Sequence, residues 1–240
     1  MTSTPRRFLA ICLTLGAAAA ALSACATPTA GSPASSSPPT GDGTVVTELD
    51  AAWLDSGRAV AIITSGSSTC LPIADEPMYA DGKLTVELTD PEAAACTQDL
   101  VPRASVVTLP EGVDPTKNLE IVVTGTYAGD TDLDGDASLT GIPGQPTDYL
   151  PSAGWFDDGA FVLLSWGSST CVPVLESAEA TGASEVTVTF QTPPADQICT
   201  ADMAPRTTII DVTGLEEDSG AQLVLSGGEF DDVTIPIAGS

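Results

Sequence analysis

One stretch of this chain occurs twice, and that limits what the chain can fold into. Gly66-Ser67-Ser68-Thr69-Cys70 returns as Gly167-Ser168-Ser169-Thr170-Cys171, 101 residues later. Cys96-Thr97-x-Asp99-x-x-Pro102-Arg103 returns as Cys199-Thr200-x-Asp202-x-x-Pro205-Arg206, 103 residues later. Two separate motifs in the same order at nearly the same spacing identify an internal duplication. Each copy descends from a unit that folded by itself, so the sequence predicts two small domains, residues 44–129 and 145–240, joined by an acidic linker over 130–144.

Within each copy the hydrophobic pattern is that of strands. Leu84, Val86 and Leu88 alternate with polar residues, as do Val186, Val188 and Phe190, giving one buried and one wet face. Ala59 to Ile63 is continuously apolar, the pattern of a strand covered on both faces. Further strands are expected at Val45–Leu49, Ala104–Leu109, Leu119–Thr124, Phe161–Trp166, Thr207–Val212, Ala221–Ser226 and Val233–Ile237, the last at a sheet edge because of Pro236. Turn chemistry separates them at Asp55-Ser56-Gly57, Asp81-Gly82 and Pro110-Glu111-Gly112. The only helical signal is a turn near Asp90–Ala95. The expected class is therefore all-β, with two tandem disulfide-bearing sandwich- or barrel-like domains. Trp53 and Trp155 occupy matching positions, which favours a place in each core.

The segment before the first copy has a different character. Arg6 and Arg7 precede an apolar run from Phe8 to Leu22, the layout of a secretion signal, and the run ends in Leu22-Ser23-Ala24-Cys25. This ending resembles the lipobox of bacterial lipoproteins. The resemblance covers the leader alone and implies cleavage before Cys25, acylation of that cysteine with fatty acid, and attachment to the extracytoplasmic face of the cell membrane. Arg6-Arg7-Phe8-Leu9 also resembles a twin-arginine signal, but the residue usual between the arginines and the Phe-Leu pair is missing, which favours general secretion. Residues 26–43 are dominated by Ser, Thr, Pro and Gly and form a tether that cannot build a core. Fully extended, these residues reach roughly 55 Å at about 3.1 Å each. Lipobox, tether and tandem β units together resemble cell-envelope lipoproteins of Gram-positive bacteria.

Removing Cys12 with the leader and assigning Cys25 to lipid leaves Cys70, Cys96, Cys171 and Cys199. A self-sufficient ancestral unit selects the pairs Cys70–Cys96 and Cys171–Cys199. An oxidising compartment suits them, whereas the absence of C-x-x-C spacing argues against redox or thiolate-metal roles.

The chain contains no histidine, which removes the Ser-His and Cys-His nucleophiles and the commonest general base. Ser67, Ser68 and Thr69 are accordingly expected to cap backbone groups beside the disulfide. The mature chain keeps five bases against 33 acids, a net charge of −28. Such a surface repels nucleic acid and attracts cations or basic partners. Asp99–Arg103 and Asp202–Arg206 are expected to form ion pairs bracing the loop. Arg103 and Arg206 are the alternative ligand contacts. Trp166 faces Ser65 in the alignment of the copies and is the candidate for an exposed, copy-specific contact. Asp130, Asp132, Asp134 and Asp136, with Gly135, fit the opening of a calcium loop, but position twelve is Gly141 where the ligating Glu belongs. A solvated linker is the expectation there, with calcium and a completing Asp148 as the minority reading. The sequence thus favours a non-catalytic module binding an envelope polymer or protein. The alternative is a carboxylate-based cell-wall glycan hydrolase, which requires two facing acids.

Overall fold

A computed structural model describes residues 48–92, 95–215 and 220–239. The leader, Cys25 and the tether lie outside the described residues. The described residues belong to one compact unit. Among the described residues every regular element is a strand apart from a single 3-10 turn at Asp55–Gly57.

The first copy supplies β1 (Asp50–Leu54), β2 (Ala59–Gly66), β3 (Ile73–Ala74), β4 (Met78–Ala80), β5 (Lys83–Thr89), β6 (Val101–Thr108), β7 (Leu119–Gly125) and β8 (Gly129–Leu133). Strands β1, β2 and β6 form an inner sheet, all antiparallel. The short β3 and β4 pair antiparallel along one edge of β5, whose other edge pairs in parallel with β7, and β7 pairs antiparallel with β8 in an outer sheet. The β5–β7 pair is parallel because β6, lying in the other sheet, serves as the crossover between them. The second copy repeats the plan with β9 (Ser152–Asp157), β10 (Ala160–Gly167), β11 (Leu175–Gly182), β12 (Glu185–Phe190), β13 (Ala204–Asp211), β14 (Gln222–Gly227) and β15 (Phe230–Ala238). Here the tail of β15 also pairs in parallel with β9, at Ile237–Ala153 and Ala238–Gly154, so inner and outer sheets are joined.

Each copy has its own core between its two sheets. In the first, Trp53, Val60, Ile62, Val107 and Leu109 meet Leu84, Val86, Leu88, Ile121 and Val123. In the second, Trp155, Phe161, Leu163 and Ile210 meet Val186, Val188, Phe190, Leu223 and Leu225. Both predicted disulfides are present, Cys70–Cys96 and Cys171–Cys199.

The arrangement differs from two separate sandwiches. A third core lies between the two inner sheets, where Ala52, Leu54, Ala59, Ala61, Ile63 and Ala104 of the first copy meet Val162 and Leu164 of the second. The result is a solenoid-like series of four layers, outer–inner–inner–outer. This is why Ala59 to Ile63 is apolar throughout: Val60 and Ile62 point into the first core, Ala59, Ala61 and Ile63 into the shared one. Small residues at this seam let backbones approach closely. A Cβ on Gly154 would lie 2.2 Å from the Trp53 carbonyl oxygen.

Several boundaries also differ from expectation. The first strand is Asp50–Leu54, and Glu48 and Leu49 of the predicted Val45–Leu49 precede it outside any strand. Asp130–Leu133, expected to open the linker, is strand β8 and completes the outer sheet against β7. β15 has β14 on one side and β9 on the other only at Ile237 and Ala238, so it is an edge as far as Pro236 and an interior strand beyond it. Pro236 opposes Gln222 of β14 immediately before Ile237 begins to pair with β9. The missing amide thus falls where the strand changes partners. The turn expected near Asp90–Ala95 is partly outside the described residues; of the rest, Glu92 lies in a turn and Asp90 and Pro91 are irregular.

Candidate functional site

The duplicated motifs meet at one end of each copy, and the two copies build nearly the same object. Strand β2 runs out through Gly66 into the GSSTC turn, where the Cys70 amide donates to the Ser67 carbonyl (3.4 Å); in the second copy Cys171 donates to Ser168 (3.3 Å). The Ser67 hydroxyl accepts the Thr69 amide (3.3 Å), and Thr69 Oγ1 accepts the Thr97 amide (3.1 Å). Ser168, Thr170 and Thr200 repeat this at 3.3 and 3.1 Å. The hydroxyls of Ser67 and Thr69 therefore cap backbone donors around the disulfide, as expected of them, whereas that of Ser68 meets the Thr97 hydroxyl at 3.3 Å instead.

The expected ion pairs are absent among the described residues. Asp99 Oδ1 accepts the Ser68 amide at 3.2 Å and the Thr97 hydroxyl, and Asp202 does the same with Ser169 and Thr200. The hydroxyl and amide of Ser68, with the Thr97 hydroxyl, hold the Asp99 carboxyl down at about 2. Thr200 and then Ser169 hold Asp202 at about 2. Each aspartate is thus tied into its turn by neutral donors, which need no desolvated arginine.

The arginines are spent elsewhere. Arg103 and Arg206 are 4% and 5% exposed. Arg103 Nη1 donates to the carbonyls of Ser67 (3.2 Å) and Cys70, and the guanidinium lies over the Tyr127 ring, 5.1 Å from its centroid. Arg206 Nη1 donates to the Cys171 carbonyl (3.0 Å), and Nη2 to the Trp166 carbonyl (2.8 Å) and the Glu229 carboxylate. Each guanidinium covers the glycine opening its motif: a Cβ on Gly66 or Gly167 would lie 2.6 or 2.8 Å from the arginine Cζ. The x-x-Pro-Arg and Gly-Ser-Ser-Thr-Cys motifs are therefore two halves of one clamp, with the planar guanidinium satisfying several carbonyls at once. Both arginines are buried and engaged in this way.

What the clamp holds outward is apolar. Leu71 and Ile73 follow the first disulfide cysteine and Val172 and Val174 the second, and all four are exposed. Leu100 is 79% exposed, and its counterpart Met203 is 57% exposed. Ile198, beside Cys199, is 92% exposed. Isolated exposed apolar side chains are ordinary, but the same ones at the same place in both copies are not. A cleft of about 310 Å³ lined by Leu71, Pro72, Val106, Val172 and Pro205 connects the two rims across the shared core. In the second copy a groove of about 420 Å³ opens beside it, walled by Val172, Val174, Pro193, Pro194 and the disulfide, with Arg206 and Glu229 at its base. Glu229 is the one carboxylate lining that groove.

The remaining sequence candidates fall elsewhere. Trp166 is half-buried against the shared core, with Tyr149 edge-on at 5.2 Å, and is not a free stacking platform. Asp130 and Asp132 lie on exposed positions of β8. Asp134 accepts the Asn118 amide (2.6 Å), and its carbonyl accepts Trp53 Nε1 (2.6 Å). Asp136 accepts the amides of Ser138 (2.7 Å) and Gly239 (3.0 Å). Burial opposes ionisation of Asp136, but the Ser138 and Gly239 hydrogen bonds outweigh it and lower its pKa. Asp148 pairs with Arg58 at 2.7 Å. The acidic stretch thus pins the end of the chain and the outer sheet, and no group of three or more possible ligands among the described residues is arranged to hold a metal. Among them too, no helix is long and apolar enough to cross a membrane.

The rim residues escaped the sequence reading, although their signal was present. Cys-[Leu/Val]-Pro-[Ile/Val] is itself duplicated, and apolar residues retained in loops beside a disulfide are surplus to core formation. Glu229 was marked by difference, since the matching turn of the first copy, Thr126-Tyr127-Ala128, holds no carboxylate. Comparison with protein-family models, with curated proteins and with solved structures gives no match for this chain.

Proposed function

We propose that this is a non-catalytic binding or scaffolding module of the cell envelope, held at the extracytoplasmic membrane face by a lipid on Cys25. The observation that carries the reading is the duplicated exposed rim of Leu71, Ile73 and Leu100 with Val172, Val174 and Met203 around two clamped disulfides. Rigid backing and exposed apolar tips suit recognition of another macromolecule, because little entropy is lost on docking. The two disulfides support export, and residues 26–43 supply reach. A hydrolase needs two carboxylates facing one another across a cleft. The groove presents Glu229 alone, already paired with Arg206, so that reading gains no support.

The test is recovery from envelope extract by the mature protein, compared with a Leu71→Asp/Val172→Asp variant. Both positions are exposed, so the variant keeps its fold, and its recovery of the partner is expected to fall at least about tenfold, the effect of losing one to two kcal/mol of apolar contact. Equal recovery by both proteins would remove the rim from the account.

A further inference from the structure

We infer that the groove of the second copy receives the cationic side chain of a partner protein, a Lys or Arg flanked by apolar residues, with Glu229 as its counter-charge. The inference rests on the binding-module reading and names what one part of the rim recognises. Three observations carry it.

The first is what the surface can offer. All five bases of the mature chain are already engaged. Arg58 pairs with Asp55 and Asp148, Lys83 with Glu120, and Lys117 with Asp114. Arg103 and Arg206 are buried in their clamps. An anionic ligand would therefore find no exposed base without a carboxylate partner among the described residues, while a cation meets a net charge of −28. The second is the local chemistry. The Glu229 side chain is 43% exposed, although Arg206 Nη2 touches it, so one side remains open to the groove. Asp196 and Asp202, both exposed, lie in the segments that bound the same groove. Val172, Val174, Pro193 and Pro194 give apolar walls along which the methylene stem of Lys or Arg can lie while its head reaches the carboxylate. The third is the divergence of the copies. Arg206 meets a carboxylate, whereas Arg103 at the equivalent place meets the Tyr127 ring. The clamp works with either partner, so the carboxylate is not required by the fold and is free to serve a ligand.

The probe is the peptide acetyl-Pro-Leu-Lys-Leu-Pro-amide, titrated into the mature chain while the methyl resonances of Val172 and Val174 are followed. Saturable shifts that weaken with salt are expected. Replacing the peptide's lysine by norleucine, or the protein's Glu229 by Gln (Glu229→Gln), is expected to weaken binding about fivefold, as for a partly exposed ion pair. Glu229→Gln keeps size and hydrogen-bonding capacity, and an unchanged thermal midpoint will show that it folds. Equal binding of the norleucine peptide, an unaffected Glu229→Gln protein, or no shift up to about 10 mM peptide, near the limit of useful affinity, would overturn the inference. So would n-butylamine alone shifting the same resonances as strongly as the peptide, which would make the groove a small-amine site. Loss of envelope recovery in the Leu71→Asp/Val172→Asp protein alongside an unaffected Glu229→Gln protein would overturn this inference alone and leave the binding-module reading standing.

Discussion

Substituting Gly154 by alanine tests the packing of the two copies directly. The added Cβ would sit 2.2 Å from the Trp53 carbonyl oxygen and 3.1 Å from the Trp53 carbonyl carbon and nitrogen. All three obstructing atoms are backbone, so no side-chain rotation relieves the contact. β1 cannot swing aside easily, because β2 pairs along its whole length and the Asp55 amide donates to Ser152 Oγ at 2.8 Å. The inner sheets must instead part by about 1 Å, opening gaps in the core shared by Ala59, Ala61, Val162 and Leu164. Overpacking of this kind costs about 1–3 kcal/mol. For a unit of this size, that lowers the thermal midpoint by roughly 3–10 °C. Gly182→Ala is the control: it lies in β11, and the nearest atom to its added Cβ is Glu185 Cβ at 3.8 Å. That variant is expected to stay within about 0.5 kcal/mol of the parent. Thermal and urea unfolding followed by circular dichroism read both. If Gly154→Ala unfolds with the control, the copies do not pack backbone to backbone and the four-layer arrangement is refuted.

Further outcomes follow from the clamps. Removing Cys70–Cys96 by a double serine substitution is expected to cost about 3.5 kcal/mol in the chain-entropy view of its closed loop, measured by urea unfolding. Asp99 and Asp202 have carboxyls held at about 2 against an ordinary 3.8. Their stabilisation is therefore complete above about pH 4 and lost as pH falls through about 2. Carboxyl-carbon titration by NMR is expected to show both low values, and Asp99→Asn/Asp202→Asn is expected to flatten the melting profile over that interval. Arg206→Met leaves the carbonyls of Cys171 and Trp166 without their donor and should destabilise by about 2–3 kcal/mol in the same unfolding assay, since bonds from a charged donor are lost in a buried setting. Cys25→Ala is expected to abolish incorporation of labelled fatty acid in cells, and label retained in that protein would exclude the lipid anchor.

Much of the fold was legible because duplication multiplies weak signals. The alternation of Leu84, Val86 and Leu88 was repeated by Val186, Val188 and Phe190, and repetition of Cys70 and Cys96 settled the disulfide pairing. Even the strand buried on both faces could be read from Ala59 to Ile63. What covers its second face could not, because apolar residues report burial without naming the partner. Sequence distance misled at Asp99 and Arg103: two charges four residues apart invite an ion pair, but both chain directions were occupied by nearer groups, Ser68 for one and the Cys70 carbonyl for the other. The acidic stretch from Asp130 misled through its composition. Charge suggested a solvated linker, whereas alternate residues of an exposed strand can all be acidic while Leu133 faces the core. The site was the least legible part, since an apolar residue in a loop reads as core until its exposure is known.

The apolar rim is proposed as the surface that meets a partner. A photo-activatable cross-linking residue placed at Val172 in the full chain, in living cells, addresses it most directly, with the same residue at Glu179 on exposed β11 as the reference position. A discrete covalent adduct from position 172, absent from position 179 and lost in a Leu71→Asp background, is the result the account requires. No adduct at 172, or equal adducts from both positions, would contradict it.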